Sequence, residues 1–330
     1  MVTVTSWLTL FLAIILSFHP SNGIAATAAS AYVHSTERLD LNQVRFAVSA
    51  PPDITAPLFE RASSLFAKAG LPLANSDSSR KPFIATLTLT LDPRPLPDTC
   101  PGQVLYTPSL ALTEQVIIIR NSAVINDVTW FASTGTQVRE ALTPLDLERD
   151  LDGLVQQFIN DYGAANAGRR SSPPGNTSAT EHPDTASDRP VPADLNGRQI
   201  DLGLNALHAE KLEISVLAGQ FTGLLKTRAR QQFSTAGLSL SPGQRNSDHP
   251  TLDIELVQQS LEDRCPGKVL YEPGLYLVER VQIRRNPHVS LWSDTWMRET
   301  TQIVAPRSRE ELESDQDALL RQFIELLKTH

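Results

Sequence analysis

The chain has 330 residues, of which 20% are charged, and its net charge is −8. This length suffices for two or three domains that each bury a core. Because Lys and Arg are not clustered, the composition excludes binding to nucleic acid by counterion release, and we expect no nucleic acid partner.

The N-terminal segment predicts a signal peptide over residues 1–28. The apolar run Trp7–Phe18 is shorter than the roughly 20 residues that a bilayer requires, but it has the length of a signal-peptide core. Small residues suited to cleavage follow it, although no Lys or Arg precedes it. We therefore expect an exported protein, periplasmic or secreted, with no membrane span after removal of the signal. A disordered or packed N-terminus of a cytosolic protein is the alternative.

The first predicted domain spans residues 42–163 and begins with a strand and a helix. Gln43–Ala50 alternates between apolar and polar residues, and the next apolar residues recur at helical spacing until Gly70. These helical positions are Leu58, Ala62, Leu65, Phe66 and Ala69. Thr86–Leu91 then alternates as a strand does when one face of its sheet is wet.

Two more strands and a helix complete this domain. A long strand is predicted from Val104 to Arg120, and another around Thr129–Trp130. The closing helix is predicted over Pro144–Tyr162, since Thr143 is a good N-cap before a proline at the first helical position.

Residues 164–197 predict a disordered linker, because they are rich in Pro, Ser, Ala, Asp and Thr and nearly lack large apolar residues. The second domain is then predicted over 198–330. It ends in a helix whose capping box is formed by Ser308 and Glu311. Its other predicted elements are a strand at Gln199–Leu207, a helix at Glu213–Thr235, and strands at Leu252–Leu256, Val269–Arg285 and Trp292–Thr301.

The two domains repeat each other. Cys100–Tyr106 recurs as Cys265–Tyr271, and 14 of the 22 positions from Cys100 to Asn121 are identical at a constant offset of 165. The predicted fold is therefore α+β, with two tandem βαβββα two-layer sandwiches. In each, the helices would cover one face of a mainly antiparallel sheet.

A pattern that is complete in the first domain and largely repeated in the second resembles a known kind of domain. It consists of Leu-x-Leu-x-Glu-x-Val-x-Ile-x-Arg-Asn, then Thr-Trp, then a final helix carrying Phe158–Tyr162. This pattern is similar to small exported bacterial domains of unknown function, and it covers most of each repeat. The resemblance implies export and an α+β fold, and it supplies no catalytic residue. Such domains usually occur once, and the Cys-Pro-Gly turn is not typical of them.

The cysteines, Cys100 and Cys265, occupy the same position in each copy. Two thiols usually pair in an oxidising compartment, and equivalent residues can touch near a pseudo-two-fold axis, so a disulfide between them is a candidate. Alternatively, each cysteine packs within its own copy or pairs with another chain. We predict no metal site, because no second Cys or His stands at ligand spacing near either one.

Charged residues interrupt the apolar rows of the long strands. Glu114 and Arg120 share a face with leucines and valines, as do Glu279 and Arg285. A carboxylate in an apolar row needs solvent, a hydrogen bond or an ionic partner. Six residues of strand place Glu114 roughly 20 Å from Arg120, too far for a pair within one strand. The glutamates are therefore either structural groups bonded to a neighbour or pocket carboxylates used twice.

Four aromatic residues recur in both copies and are further binding candidates: Tyr106, Tyr271, Trp130 and Trp296. Core packing is the alternative for each, and aromatic residues of strands more often serve that purpose.

None of the catalytic signatures HExxH, Walker A, GxSxG and GxGxxG occurs in the sequence. We therefore predict no catalytic residue and no cofactor. The hypothesis is an exported, non-catalytic binding or envelope-assembly module. Its partner would be an envelope protein, a glycan or a small ligand. The alternative is an envelope hydrolase that uses Glu114 or Glu279.

Overall fold

The computed structural model describes residues 36–71, 73, 85–167, 204, 207–241 and 249–329. The predicted signal peptide and the predicted linker beyond residue 167 lie outside these ranges. Within them, no helix is both long and apolar enough to cross a membrane.

The N-terminal half of the chain contains seven strands and two α-helices in the described ranges. These are β1 (Val44–Ser49), α1 (Pro52–Lys68), β2 (Ala85–Thr90), β3 (Arg94–Pro95), β4 (Gln103–Tyr106), β5 (Ser109–Ile118), β6 (Val124–Ser133), β7 (Gln137–Glu140) and α2 (Pro144–Asn166). Thr143 is the N-cap of α2 as predicted, and it also forms a capping box with Asp146. The helix continues four residues beyond Tyr162 into the predicted linker.

The C-terminal half contains five strands and two α-helices in the same ranges. These are β8 (Glu213–Leu217), α3 (Thr222–Thr235), β9 (Thr251–Ser260), β10 (Val269–Ile283), β11 (Ser290–Glu299), β12 (Gln302–Val304) and α4 (Arg309–Thr329). Ser308 and Glu311 exchange the hydrogen bonds of the predicted capping box. The α+β class is confirmed.

The prediction for the start of the C-terminal half was wrong. The first strand there is β8, inside the segment predicted as the helix Glu213–Thr235, and Leu204 within the predicted strand is helical. Ile214 and Val216 are buried on one face of β8 while Ser215 is exposed between them. This period of two, carried by β-branched residues, favours a strand over a helix.

The long strand predicted over Val104–Arg120 is divided into β4 and β5, whereas its counterpart β10 is continuous. The cause lies in the neighbouring strand. Pro93 and Pro95 stand in the N-terminal half where Gln258 and Ser260 stand in β9, and a proline cannot donate to a sheet ladder. β2 therefore ends at Thr90, and β3, β4 and β7 form a small separate sheet.

The remaining nine strands form a single sheet, so the expected pair of separate sheets is replaced by a joined one. Its strand order is β1-β2-β5-β10-β9-β8, with β6 beside β5, and with β11 and β12 beside β10. β1–β2 and β8–β9 are parallel pairs, and the other pairs are antiparallel. The halves are thus connected through backbone hydrogen bonds between β5 and β10.

In each half, both helices cover the same face of the sheet. In the N-terminal half, Phe66 of α1 and Phe158 of α2 pack edge to face over the leucines of β2 and β5. In the C-terminal half, Phe233 of α3 and Phe323 of α4 meet over β9 and β10. This arrangement leaves the opposite face of the sheet without a covering layer of described residues.

Candidate functional site

The seam between the halves is built from positions that stand 165 residues apart. Ile117 of β5 lies opposite Gln282 of β10, and these two positions are equivalent in the sequence repeat. On either side, the Ile119 amide donates to the Arg280 carbonyl at 3.2 Å, and the Arg284 amide donates to the Gln115 carbonyl at 3.1 Å. Each seam contact therefore has a counterpart in which the halves are exchanged.

The glutamates find their partners across this seam. Arg285 Nε lies 2.6 Å from Glu114 Oε2, and its Nη2 donates to Glu114 Oε1 at 3.0 Å. In the reciprocal pair, Arg120 Nε donates to Glu279 Oε1 at 2.5 Å and its Nη2 to Oε2 at 3.2 Å. The partner that each carboxylate lacks within its own strand is thus supplied by the other half.

A bulge in each hairpin adds a third hydrogen bond to these pairs. The β5–β6 register shifts after Leu112 and leaves Thr129 as the extra residue, while the β10–β11 register shifts after Leu277 and leaves Thr295. Bulges commonly redirect a side chain. Both threonine hydroxyls donate to the glutamates at 2.6 Å. Sequence reasoning missed this role; in the structure the bulge places two adjacent buried residues, Thr129 and Trp130, in β6 and so breaks its alternation.

The surroundings of the glutamates match structural ion pairs better than a reaction centre. Glu114 is 3% exposed and Glu279 is 2% exposed. Each carboxylate is occupied by a two-point arginine contact and a threonine hydroxyl, an arrangement that satisfies a buried charge. Clefts of about 520 and 390 Å³ lie elsewhere on the C-terminal half, and one of about 250 Å³ lies between β7 and the residues around Leu261. Neither glutamate lines any of these three clefts.

The two cysteines are close enough to pair, as the disulfide hypothesis requires. Cys100 and Cys265 are joined as a disulfide, with Cα atoms 5.7 Å apart. An apolar cluster surrounds them, and its members come in equivalent pairs from the two halves. The cluster comprises Leu105 with Leu270, Val138 with Ile303, and Leu261 with the partly buried Leu96.

A second apolar cluster packs beside the ion pairs and is likewise drawn from both halves. It comprises Val116, Ile118 and Ile125 from the N-terminal half and Val281, Ile283 and Leu291 from the C-terminal half. The seam therefore contains two apolar clusters, two charged pairs and a disulfide. Its composition resembles a domain interior, which favours a fixed arrangement of the halves over independent motion.

The four aromatic candidates lie in the cores. Trp130 packs edge to face on Phe158 and donates from Nε1 to Asp161 at 3.0 Å. Trp296 is likewise buried. Tyr106 and Tyr271 are each 1% exposed, and burial, assisted by Asp150 and Asp315 respectively, raises the pKa of both hydroxyls. Their burial favours the packing role over ligand contact.

The uncovered sheet face of the C-terminal half is acidic. Its side chains form rows across β8, β9, β10 and β11, and acidic residues occur in three adjacent rows. The rows are Glu213, Thr251, Val278 and Asp294; Ser215, Asp253, Tyr276 and Met297; Leu217, Glu255, Gly274 and Glu299; and, on the last two strands, Arg280 and Trp292. We call these residues the acidic face.

Tyr276 lies at the centre of the acidic face. Its hydroxyl donates to Glu299 at 2.8 Å, and its ring covers Gly274, where a Cβ atom would clash with it. Burial raises the pKa of Asp253, and burial followed by repulsion from Asp253 raises that of Glu255. Partial desolvation, then Asp253 and Glu299, raise the pKa of Asp294 to about 6. The carboxylates therefore repel one another, and the face attracts positive charge.

On the equivalent face of the N-terminal half, the described strand residues include no Asp or Glu. Its rows cross β1, β2, β5 and β6, and most of their members are small or carry a hydroxyl or amide. The rows are Arg45, Thr86, Thr113 and Val128; Ala47, Thr88, Ala111 and Phe131; Ser49, Thr90, Ser109 and Ser133; and Gln115 with Asn126. We call these residues the threonine face.

No group of His, Cys, Asp and Glu side chains suited to hold a metal ion occurs among the described residues.

Comparison with known proteins leaves the family of this chain open. No family model matches it, and no curated protein matches it. Solved structures give weak likenesses. A dodecamer of a PelC variant from Paraburkholderia phytofirmans is 12% identical, with a TM-score of 0.21, and the match covers 36% of this chain and 83% of that one.

Two lipoproteins give similar values. A minor lipoprotein from Acinetobacter baumannii is 14% identical with a TM-score of 0.20, and the match covers 37% of this chain and 94% of the lipoprotein. The rare lipoprotein B from Shewanella oneidensis is 13% identical with a TM-score of 0.15, and the match covers 36% of this chain and 86% of the lipoprotein. At such TM-scores these likenesses carry no argument about function.

Proposed function

We propose that this protein is an exported, non-catalytic binding module in which two tandem βαβββα copies close on each other as a single-chain pseudo-dimer. The observation that carries the proposal is the reciprocal pairing of Glu114 with Arg285 and of Glu279 with Arg120. In these pairs the arginines occupy the carboxylates of Glu114 and Glu279, which a hydrolase would need free to act on a substrate. They also fix the two copies in one arrangement, as an assembly or recognition scaffold needs.

Export is supported by the signal-like segment over residues 1–28 and by the pairing of Cys100 with Cys265. If export is correct, the protein recovered from native cells begins between about residues 24 and 29. An N-terminus at Met1 would contradict this part of the proposal.

The acidic face is the proposed recognition surface, and its charge favours a positively charged segment of a partner protein. An uncovered sheet face with five carboxylates and one arginine gives a strongly one-signed field, which steers and orients an oppositely charged partner. Tyr276 and Trp292 add aromatic surfaces suited to Lys and Arg side chains. The threonine face exposes the aromatic ring of Phe131, but its rows contain no acidic residue.

The test uses a labelled octalysine peptide and measures its binding by fluorescence anisotropy at low and physiological salt. Replacement of Glu255 by Gln together with Asp294 by Asn should weaken binding about tenfold or more. The matched control removes the same charge from exposed helix positions by Glu60→Gln and Glu310→Gln, and should change binding less than threefold. Equal losses in both variants would show attraction to net charge alone and would contradict the assigned surface.

A further inference from the structure

The seam contains one carboxyl group that the reciprocal pairs leave out. Asp127 of β6 lies opposite Glu114 in the sheet ladder, and its equivalent in the C-terminal half is Ser293, which lies opposite Glu279. The seam therefore has three carboxyl groups in this region, and Arg120 and Arg285 engage the two glutamates. Among the described residues, no ion pair of Asp127 is seen.

Asp127 stands where the free edges of β6 and β11 approach each other. Ser293 of β11 donates from Oγ to the Val128 carbonyl of β6 at 3.4 Å, so this pair of residues links the two hairpins. One oxygen of Asp127 accepts from the Val128 amide at 2.7 Å. The other oxygen, Oδ2, is buried and has no hydrogen-bond partner. Such an atom is costly as part of a carboxylate and is suited to carry a proton.

We propose that Asp127 is a proton-controlled latch between the two halves. When Asp127 is protonated it closes the contact between β6 and β11 and so holds the β5–β10 seam shut; when it is ionised it loosens that contact and the seam opens more readily. The protonated Oδ2 is a donor, and Ser293 Oγ, which already donates to Val128, retains lone pairs to accept it. The result is a continuous chain from Asp127 through Ser293 to the Val128 carbonyl. An ionised Asp127 cannot donate, so it competes with Val128 for the single Ser293 hydroxyl hydrogen.

The electrostatic surroundings act in the same direction. Burial raises the pKa of Asp127 to about 7. The Ser293 hydroxyl and the Val128 amide act to lower this pKa, because each is a donor suited to the ionised carboxylate. Repulsion from Asp294 on β11 raises it. Asp253 and Glu299 lie around Asp294 and reinforce this negative field. The nearby arginines are held by the glutamates in the same seam. A proton on Asp127 thus removes an uncompensated negative charge from the interface.

The sign of the effect follows from linkage. An opened seam returns Asp127 to its ordinary pKa of about 4, so the closed seam binds the proton more tightly. Closure is therefore strongest in acid and weakens as pH rises from about 4 towards 7. Between pH 5 and pH 8, the closed-to-open ratio should fall by up to about a hundredfold.

The experiment measures hydrogen exchange of the Ile119 and Arg284 amides in the full chain, corrected for intrinsic exchange, at pH 5 and pH 8. These amides donate across the seam and report its opening. Protection in the native sequence should fall by up to about a hundredfold across this range. Asp127→Asn, which retains a donor at every pH, and Asp127→Ser, which copies Ser293, should both remove most of that decrease. The control Asp294→Asn removes only the smallest contribution to the raised pKa of Asp127 and should retain most of the decrease.

A pH dependence that is unchanged in Asp127→Asn would overturn the latch. A direct measurement covers the case in which the variants fold poorly. The side-chain carboxyl carbon of Asp127, followed by NMR in the native sequence, should titrate near neutrality, and titration near pH 4 would also refute the proposal.

Discussion

The two halves of the chain agree at the seam and differ on their uncovered sheet faces. At the seam, Glu114 and Glu279 have matching partners, and both hairpins place a bulge threonine on the carboxylate. On the sheet face, Thr88 of the threonine face is replaced by Asp253 of the acidic face, and Thr90 by Glu255. Positions that join the halves are therefore matched in pairs, whereas positions on the uncovered sheet faces carry different side chains in each half.

The largest expected effect comes from breaking one reciprocal ion pair. Glu114→Ala leaves Arg285 buried without its partner and should lower the free energy of unfolding by about 3 to 5 kcal/mol. Glu279→Ala should have the same effect if the halves are equivalent here. Chemical denaturation measures both values. Glu60→Ala, at an exposed helix position, is the control and should change stability by less than about 0.5 kcal/mol.

Removal of the disulfide is expected to have the next largest effect. The bond joins residues 165 apart, and replacing both cysteines by alanine should lower the free energy of unfolding by about 2 to 4 kcal/mol, because the unfolded chain gains freedom. Denaturation of the oxidised protein, the reduced protein and the double variant measures it. Equal stability of the oxidised protein and the double variant would mean that the bond does not constrain the halves.

A smaller effect tests a difference between the equivalent helices. Gln316 of α4 is fully buried, with Oε1 unpaired and Nε2 donating to the Leu225 carbonyl at 2.8 Å, whereas Leu151 holds the same position in α2. Gln316→Leu should raise the free energy of unfolding by about 1 kcal/mol, since an unpaired buried oxygen is removed. The reverse change, Leu151→Gln, should lower stability by at least as much. Thermal denaturation of both variants decides the comparison.

The smallest effect sharpens the contrast between the two faces. Burial raises the pKa of Asp253, so the folded state binds its proton more tightly and this contribution to stability is lost as pH rises above about 4. Asp253→Thr, which copies Thr88, should raise stability at pH 7 by about 0.5 to 1 kcal/mol and change it little at pH 4. Denaturation at both pH values tests this, and Thr88→Ser on the opposite half is the control. A larger gain at pH 4 would reverse the predicted sign.

Much of the fold followed from sequence because its signals are local. The alternation at Gln43–Ala50, the cap at Thr143 and the capping box at Ser308 each depend on neighbours along the chain, and the structure confirms these elements. The error at Glu213–Thr235 arose because a short strand and a helix meet in one apolar segment, where period alone is ambiguous.

The candidate residues were recognised from sequence, but their roles depended on contacts between distant positions. The apolar rows established that Glu114 and Glu279 needed partners, and strand geometry excluded the arginine in the same strand. Only the β5–β10 register identified Arg285 and Arg120, because pairing between strands is set by the assembled sheet. The bulge threonines and the acidic face depend on register in the same way.

The α+β class, the repeated motif and the equivalence of the two cysteines could be predicted from the chain alone, since they depend on composition, period and offset. The shared sheet, the ion pairs between the halves and the unlike sheet faces became visible only in the assembled fold. A buried charge is satisfied by whichever group the fold brings within about 3 Å, and that group can lie anywhere in the sequence.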